Sequence, residues 1–161
     1  MNDYTLNNKW VLWFHSLKNP NWDNKSYIKV IEIKTLLDFK LLNDVLRINH
    51  LQNGMFFLMK NDIFPTWEDP KNRLGGCISF KYDNNILKEW LKILLLCITD
   101  NLSNKRNIND INGLSISPKK EFNIIKVWIK DDSKDHKKII KSYEPFITLD
   151  KSIYKKHELS Y

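Results

Sequence analysis

Trp22 and Trp67 are hard to explain by packing. Trp22 follows Asn19-Pro20-Asn21 and precedes Asp23-Asn24-Lys25-Ser26, and Trp67 lies within Pro65-Thr66-Trp67-Glu68-Asp69-Pro70-Lys71-Asn72. A large apolar ring in a polar loop is a candidate for ligand contact, because such a loop has little apolar surface of its own to bury it. The competing explanation, burial in the core, suits Trp10 on a strand-like segment and Trp90 on a helical stripe much better.

Catalytic chemistry is hard to assemble. With 4 Gly the chain has neither a phosphate-cradling loop nor a G-x-G-x-x-G turn. His15, His50, His136 and His157 are scattered without metal-ligand spacing, and no G-x-S-x-G elbow is present. Acidic pairs such as Asp131-Asp132 fall in expected surface turns. The sequence therefore predicts a binding protein without metal or cofactor, and not an enzyme.

Composition adds bounds. The 161 residues favour one domain over 1–161, and 42% hydrophobic residues suffice for one core. A net charge of +7 suits a phosphate-bearing partner. Cys77 and Cys97 form no spaced framework, which points to a reducing compartment. No apolar run approaches the ~18 residues of a membrane span, and the N-terminus has no signal-peptide pattern. The expected location is the cytoplasm, with no membrane partner.

The elements that must position the two tryptophans read as follows. Strands are expected at Lys9–Ser16, Tyr27–Ile33, Met55–Lys60, Cys77–Tyr82, Leu114–Ser117 and Ile124–Ile129. Short terminal strands are expected at Phe146–Leu149 and Ile153–Tyr154. Thr35 caps a helix running to about Ile48, with Leu37, Leu41, Leu42 and Val45 at helical spacing. A second helix runs from Asn85 to about Leu102, its stripe formed by Ile86, Trp90, Ile93, Leu94 and Cys97. A third starts at Asp132 or Ser133 and continues to about Ser142. Asp62–Leu74 is a loop that carries Trp67. Interspersed strands and helices with short connections give an α+β class, a mainly antiparallel sheet covered by about three helices.

Several segments resemble one family. Tyr4-Thr5-Leu6-Asn7-Asn8-Lys9-Trp10-Val11-Leu12-Trp13-Phe14 looks like the opening H-P-L-x-x-x-W-x-L-W strand of the messenger RNA cap-binding translation initiation factor 4E family. Pro65 to Asn72, followed by Gly75-Gly76, matches its signature P-x-W-E-D-x-x-N and G-G. Trp90-Leu91-x-x-Leu94-Leu95-x-Cys97 resembles its second helix, and Gly113 to Trp128 matches a later stretch without a gap. The resemblance spans about residues 4–149.

The resemblance implies a curved, mainly antiparallel sheet with three helices on its convex face and a cap site on the concave side. It implies capped messenger RNA as ligand and a role in translation initiation. In this reading Trp22 and Trp67 sandwich the positively charged 7-methylguanine, gaining stacking and cation–π attraction. Glu68 accepts hydrogen bonds from the N1–H and N2–H₂ edge of the base. Trp128 matches a tryptophan near the methyl group, and Lys119, with adjacent Lys120, falls where the family holds phosphate. Ile124 and Cys77 stand at two further positions that are basic in the family. On the convex face the resemblance implies a scaffold or regulatory protein docking a helix on Leu36, Leu91 and Leu95. Lys40 replaces the tryptophan of that surface, so altered partner recognition is expected. Lys40 leaves room for a repressor that holds capped messages, and the lost basic positions leave room for an interaction module that has lost the cap. Most of the family's C-terminal cap-side loop has no counterpart in this sequence. Tyr4 and Thr5 replace the opening His and Pro, as in a divergent or viral member.

Overall fold

A computed structural model describes residues 3–145 and 147–157. The strands are β1 (Thr5–Ser16), β2 (Ile28–Thr35), β3 (Gly54–Lys60), β4 (Gly76–Tyr82), β5 (Ile111–Pro118), β6 (Asn123–Ile129) and β7 (Ile153–Lys156). The helices are α1 (Leu36–Val45), α2 (Ile48–Asn53), α3 (Leu87–Ile98) and the single turn α4 (His136–Ile139). The strands pair antiparallel in one curved sheet ordered β2-β1-β3-β5-β6-β4-β7.

Because side chains alternate along a strand, each strand serves two faces. Trp10 and Leu12 of β1, Leu58 of β3, Leu114 of β5, and Ile125 and Val127 of β6 face the helices in the main core. Trp90, Ile93, Leu94 and Cys97 of α3 close that core, as the helical stripe predicts. Trp13, Phe57, Cys77 and Trp128 face the other way and belong to a second, smaller cluster with Met59 and Ile63. That cluster lines the concave face and positions the site described below.

Thr35 caps α1 as expected. Its Oγ1 accepts from the Asp38 N–H at 3.2 Å, and Asp38 Oδ2 accepts from the Thr35 N–H at 3.1 Å. The orientation of α1 departs from expectation. Leu42 is buried, but Leu37, Leu41 and Val45 are 53%, 54% and 65% exposed. Leu36, Phe39 and Leu46 pack inward with Leu42 instead, so the helix carries a second apolar stripe that faces solvent. α1 also stops at Val45, and a separate helix, α2, follows.

The expected third helix shrinks to His136–Ile139, capped by Asp135, whose Oδ1 accepts from the Lys137 N–H at 3.0 Å. Its sequence is rich in lysine and offers only Ile139 and Ile140 to bury, too little apolar stripe to hold several turns. The expected strand at Phe146–Leu149 is not formed among the described residues. Phe146 lies outside them, Ile147 makes an isolated bridge with Tyr143, and Leu149 begins a 3-10 turn. No described helix is long and apolar enough to cross a membrane.

A candidate ligand site on the concave face

The loop that carries Trp67 is braced from within. Asp69 uses both carboxylate oxygens, Oδ2 accepting from the Phe64 N–H at 2.9 Å and Oδ1 from the Lys71 N–H at 2.8 Å. Asn72 has no exposed surface and donates from Nδ2 to the carbonyls of Phe64 (3.2 Å) and Thr66 (2.9 Å). Its Oδ1 accepts from Asn112 Nδ2 of β5 at 2.9 Å. These side chains satisfy backbone groups in a segment without a strand ladder of its own. Gly75 closes the loop, where a Cβ would fall 1.8 Å from the Ile129 carbonyl oxygen, so only glycine lets the chain approach β6 this closely.

The braced loop presents Trp67 and Glu68 side by side. Trp67 is half-buried against the cluster of Phe57, Met59, Ile63, Cys77 and Trp128. Glu68 is exposed, and its carboxylate has no hydrogen-bond or ion-pair partner among the described residues. The two acidic neighbours therefore differ in availability, since Asp69 is engaged in the loop.

Trp22 is 52% exposed on its own loop. Its indole lies parallel to the His15 ring, with centroids 3.6 Å apart and planes 2° apart. His15 is fully buried, and its Nδ1 and Nε2 lie 3.0 Å and 2.7 Å from the carbonyl oxygens of Ser16 and Asn21. One face of Trp22 is thus covered by a clamped ring, and the rest of the indole is exposed. Tyr27 links the two loops. It meets Trp22 edge-on at 6.1 Å, Phe64 at 5.2 Å and Phe57 at 5.5 Å. Burial raises the pKa of its phenol, and the nearby Glu68 carboxylate raises it further. Trp22, Tyr27, Glu68 and Trp67 therefore border one region.

Trp128 forms the floor beside Trp67. It is buried, its Nε1–H donates to Ser115 Oγ at 3.0 Å, and its ring stands 6.4 Å from Phe57. His157, which the sequence does not mark as a site residue, lies against both rings, 5.3 Å from Trp128 and 6.4 Å from Trp67. Its backbone N–H donates to the Gly75 carbonyl at 3.0 Å. Burial lowers its pKa, and the charge of Lys126 lowers it further, which favours the neutral ring near neutral pH.

The cations lie in two places. Lys119 and Lys120 are exposed in the β5–β6 turn and line a depression with Ile48, Leu51 and Gln52 of α2 and with Ile86. Leu51 and Ile86 belong to the helix-side core, so this depression lies beside α2. Lys126 and Lys155 do share the tryptophan face. Lys126 is two residues before Trp128 on β6, and Lys155 pairs directly with Cys77 on β4. Alternation from Trp128 was signal enough to find Lys126; finding Lys155 needs the β4–β7 register.

On the opposite face, Leu36, Leu91 and Leu95 pack at the margin of the main core. Lys40 is exposed on α1 and pairs with Asp44 at 3.0 Å.

Comparison with known proteins agrees with this architecture. The model of the family described as eukaryotic initiation factor 4E matches residues 5–161. The translation initiation factor 4E of Dictyostelium discoideum is 27% identical over 165 residues, covering 96% of this chain and 65% of that protein. A homolog from Acanthamoeba polyphaga mimivirus is 27% identical over 143 residues, covering 73% of this chain and 53% of its own length. The chain thus spans from about half to just under two thirds of these relatives. A schistosome factor, solved with m7GpppG and 4E-BP, superposes with a TM-score of 0.74 at 22% identity, covering 83% of this chain and 76% of its own. With a family match across nearly its whole length and the same fold, the chain belongs to the eukaryotic initiation factor 4E family.

Proposed function

We propose that this protein binds the 7-methylguanosine cap of messenger RNA and acts in translation initiation, by binding and not by catalysis. The observation that carries the reading is the convergence of two tryptophan loops at Tyr27, with an unengaged Glu68 carboxylate beside them. The base stacks between Trp22 and Trp67 and presents its donor edge to Glu68, while Trp128 closes the floor near the methyl group. Stacking on a cation is stronger than on a neutral base, so the tryptophans supply methyl selectivity and Glu68 supplies guanine selectivity. The test is retention on a 7-methylguanosine resin. Methylated GTP should elute the protein at a concentration about 10-fold lower than GTP, the equivalent of about 1.4 kcal/mol of cation–π attraction. Equal elution by both nucleotides would refute the reading.

The convex face supports a protein partner of altered type. Leu36, Leu91 and Leu95 offer apolar area to a docking helix, and Lys40, held only by its exposed pair with Asp44, supplies a cation where an indole hot spot would stand. The partner that fits carries an acidic side chain facing Lys40, and such a dedicated partner suits a repressor as well as an initiation scaffold. Lys40→Trp should tighten binding of a helical Tyr-x-x-x-x-Leu peptide by about 10-fold, given the usual value of a buried interface tryptophan. Cap affinity should stay constant, because the two faces are opposite. Wild-type binding of that peptide as tight as the variant's would remove the role given to Lys40.

A further inference from the structure

We propose that Lys126 and Lys155 hold the phosphate chain of the nucleotide whose base lies at Trp67, a proposal that rests on the cap-binding reading of the same face. Lys126 and Trp128 alternate onto one face of β6. Directly across the strands, Lys126 faces Ser79 on β4 and Ser115 on β5. Ser115 is the residue that accepts the Trp128 indole N–H, so Lys126 stands one step from the floor of the site. Lys155 lies across from Cys77, which itself lies across from Trp128. The two lysines therefore sit on the strands either side of β4, offset by two residues along it, with backbones roughly 12 Å apart from two strand spacings and two residue rises. A polyphosphate leaving the Trp67–Trp128 end of the face runs between them.

Position on the tryptophan face distinguishes these lysines, and neither has its charge engaged as some neighbours do. Lys156 is within 3.7 Å of Asp132, Lys134 within 2.9 Å of Asp110, and Lys81 lies over the Phe122 ring at 4.4 Å. Lys126 and Lys155 are exposed and have no ion-pair partner among the described residues. The residues paired with them across the sheet are Ser79, Ser115 and Cys77, none of which carries a carboxylate. Burial pushes the Cys77 thiol up to about 12, so it adds no negative charge at neutral pH. Two uncompensated cations beside an aromatic site attract an anion with several oxygens, and the chain of phosphates on a 5′-nucleotide has that form.

The test titrates 7-methylguanosine, its 5′-monophosphate and its 5′-triphosphate against the full chain. The variants are Lys126→Met with Lys155→Met and, separately, Lys119→Met with Lys120→Met, with circular dichroism melts to confirm folding. The Lys126/Lys155 variant should lose on the order of 10-fold or more in triphosphate affinity, from charge-assisted contacts, and nothing for the nucleoside. Its triphosphate binding should depend less steeply on salt than that of wild type. The Lys119/Lys120 variant should keep the wild-type preference for the triphosphate. Equal losses for nucleoside and triphosphate, or a triphosphate preference that disappears only in the Lys119/Lys120 variant, would overturn the proposal. GTP serves as a separate arm. If wild type binds GTP and methylated GTP alike while the Lys126/Lys155 variant weakens both, the base reading fails and the phosphate assignment stands. Failure of wild type to bind either triphosphate would overturn both.

Discussion

Trp67→Ala should weaken binding of methylated GTP by about 10-fold or more, with the lost affinity read from a fluorescence titration. Base–aromatic stacking is worth about 1–3 kcal/mol per ring, and about 1.4 kcal/mol is a factor of ten. The cationic base raises the value toward the upper part of that range. Ligand binding should quench the tryptophan emission of wild type, because two indoles meet the same base. Trp22→Ala should also weaken binding, but it leaves the His15 ring in place beneath the vacated position, so part of the stacking surface survives. Trp67 has no such substitute, since beneath it lie the small cluster around Phe57 and Cys77 and the tilted ring of His157. The larger loss is therefore expected at Trp67. Full-strength binding by both variants would show that neither ring is a plate.

Local signals carried much of the architecture. Thr35 reads as a helix cap, and the structure adds that it forms a capping box with Asp38. The α3 stripe was legible because Trp90, Ile93, Leu94 and Cys97 share a face and all are buried. α1 misled because it has two apolar stripes. Periodicity finds both, but only the sheet decides that Leu42 turns inward while Leu37, Leu41 and Val45 turn outward. The single turn at His136–Ile139 shows the converse, a cap and helix-compatible residues with too little surface to bury.

For the site, the loop composition around Trp22 and Trp67 was the readable part. The roles of neighbouring polar residues were not, because they depend on contacts between distant segments. Asn72 is a loop brace through Asn112, forty residues away. His15 becomes the backing of Trp22 only once Asn21 folds over it. Lys155 meets the tryptophan face only through the pairing of β7 with β4. Lys119 and Lys120 follow the resemblance in sequence, yet the β5–β6 turn places them against α2.

Glu68→Gln should cost about 2 kcal/mol of cap-binding free energy, a drop of roughly 30-fold, without lowering the melting temperature. In the proposed complex the carboxylate would accept two donors from the guanine edge in a charge-assisted pair. Glutamine keeps one acceptor and turns an NH₂ toward a base donor, so one hydrogen bond is lost and the negative charge with it. Stability should hold because Glu68 is exposed and has no hydrogen-bond or ion-pair partner among the described residues. Asp69→Asn provides the contrast. Its two oxygens hold the Phe64 and Lys71 N–H groups, so the amide must turn a donor toward one of them and the loop loosens. That variant should melt at a lower temperature, and its affinity should fall less than that of Glu68→Gln. Calorimetric titration with methylated GTP, paired with thermal melts of both variants, separates the two roles. If Glu68→Gln binds as wild type does, or if both variants lose affinity equally with unchanged melting temperatures, Glu68 does not read the base.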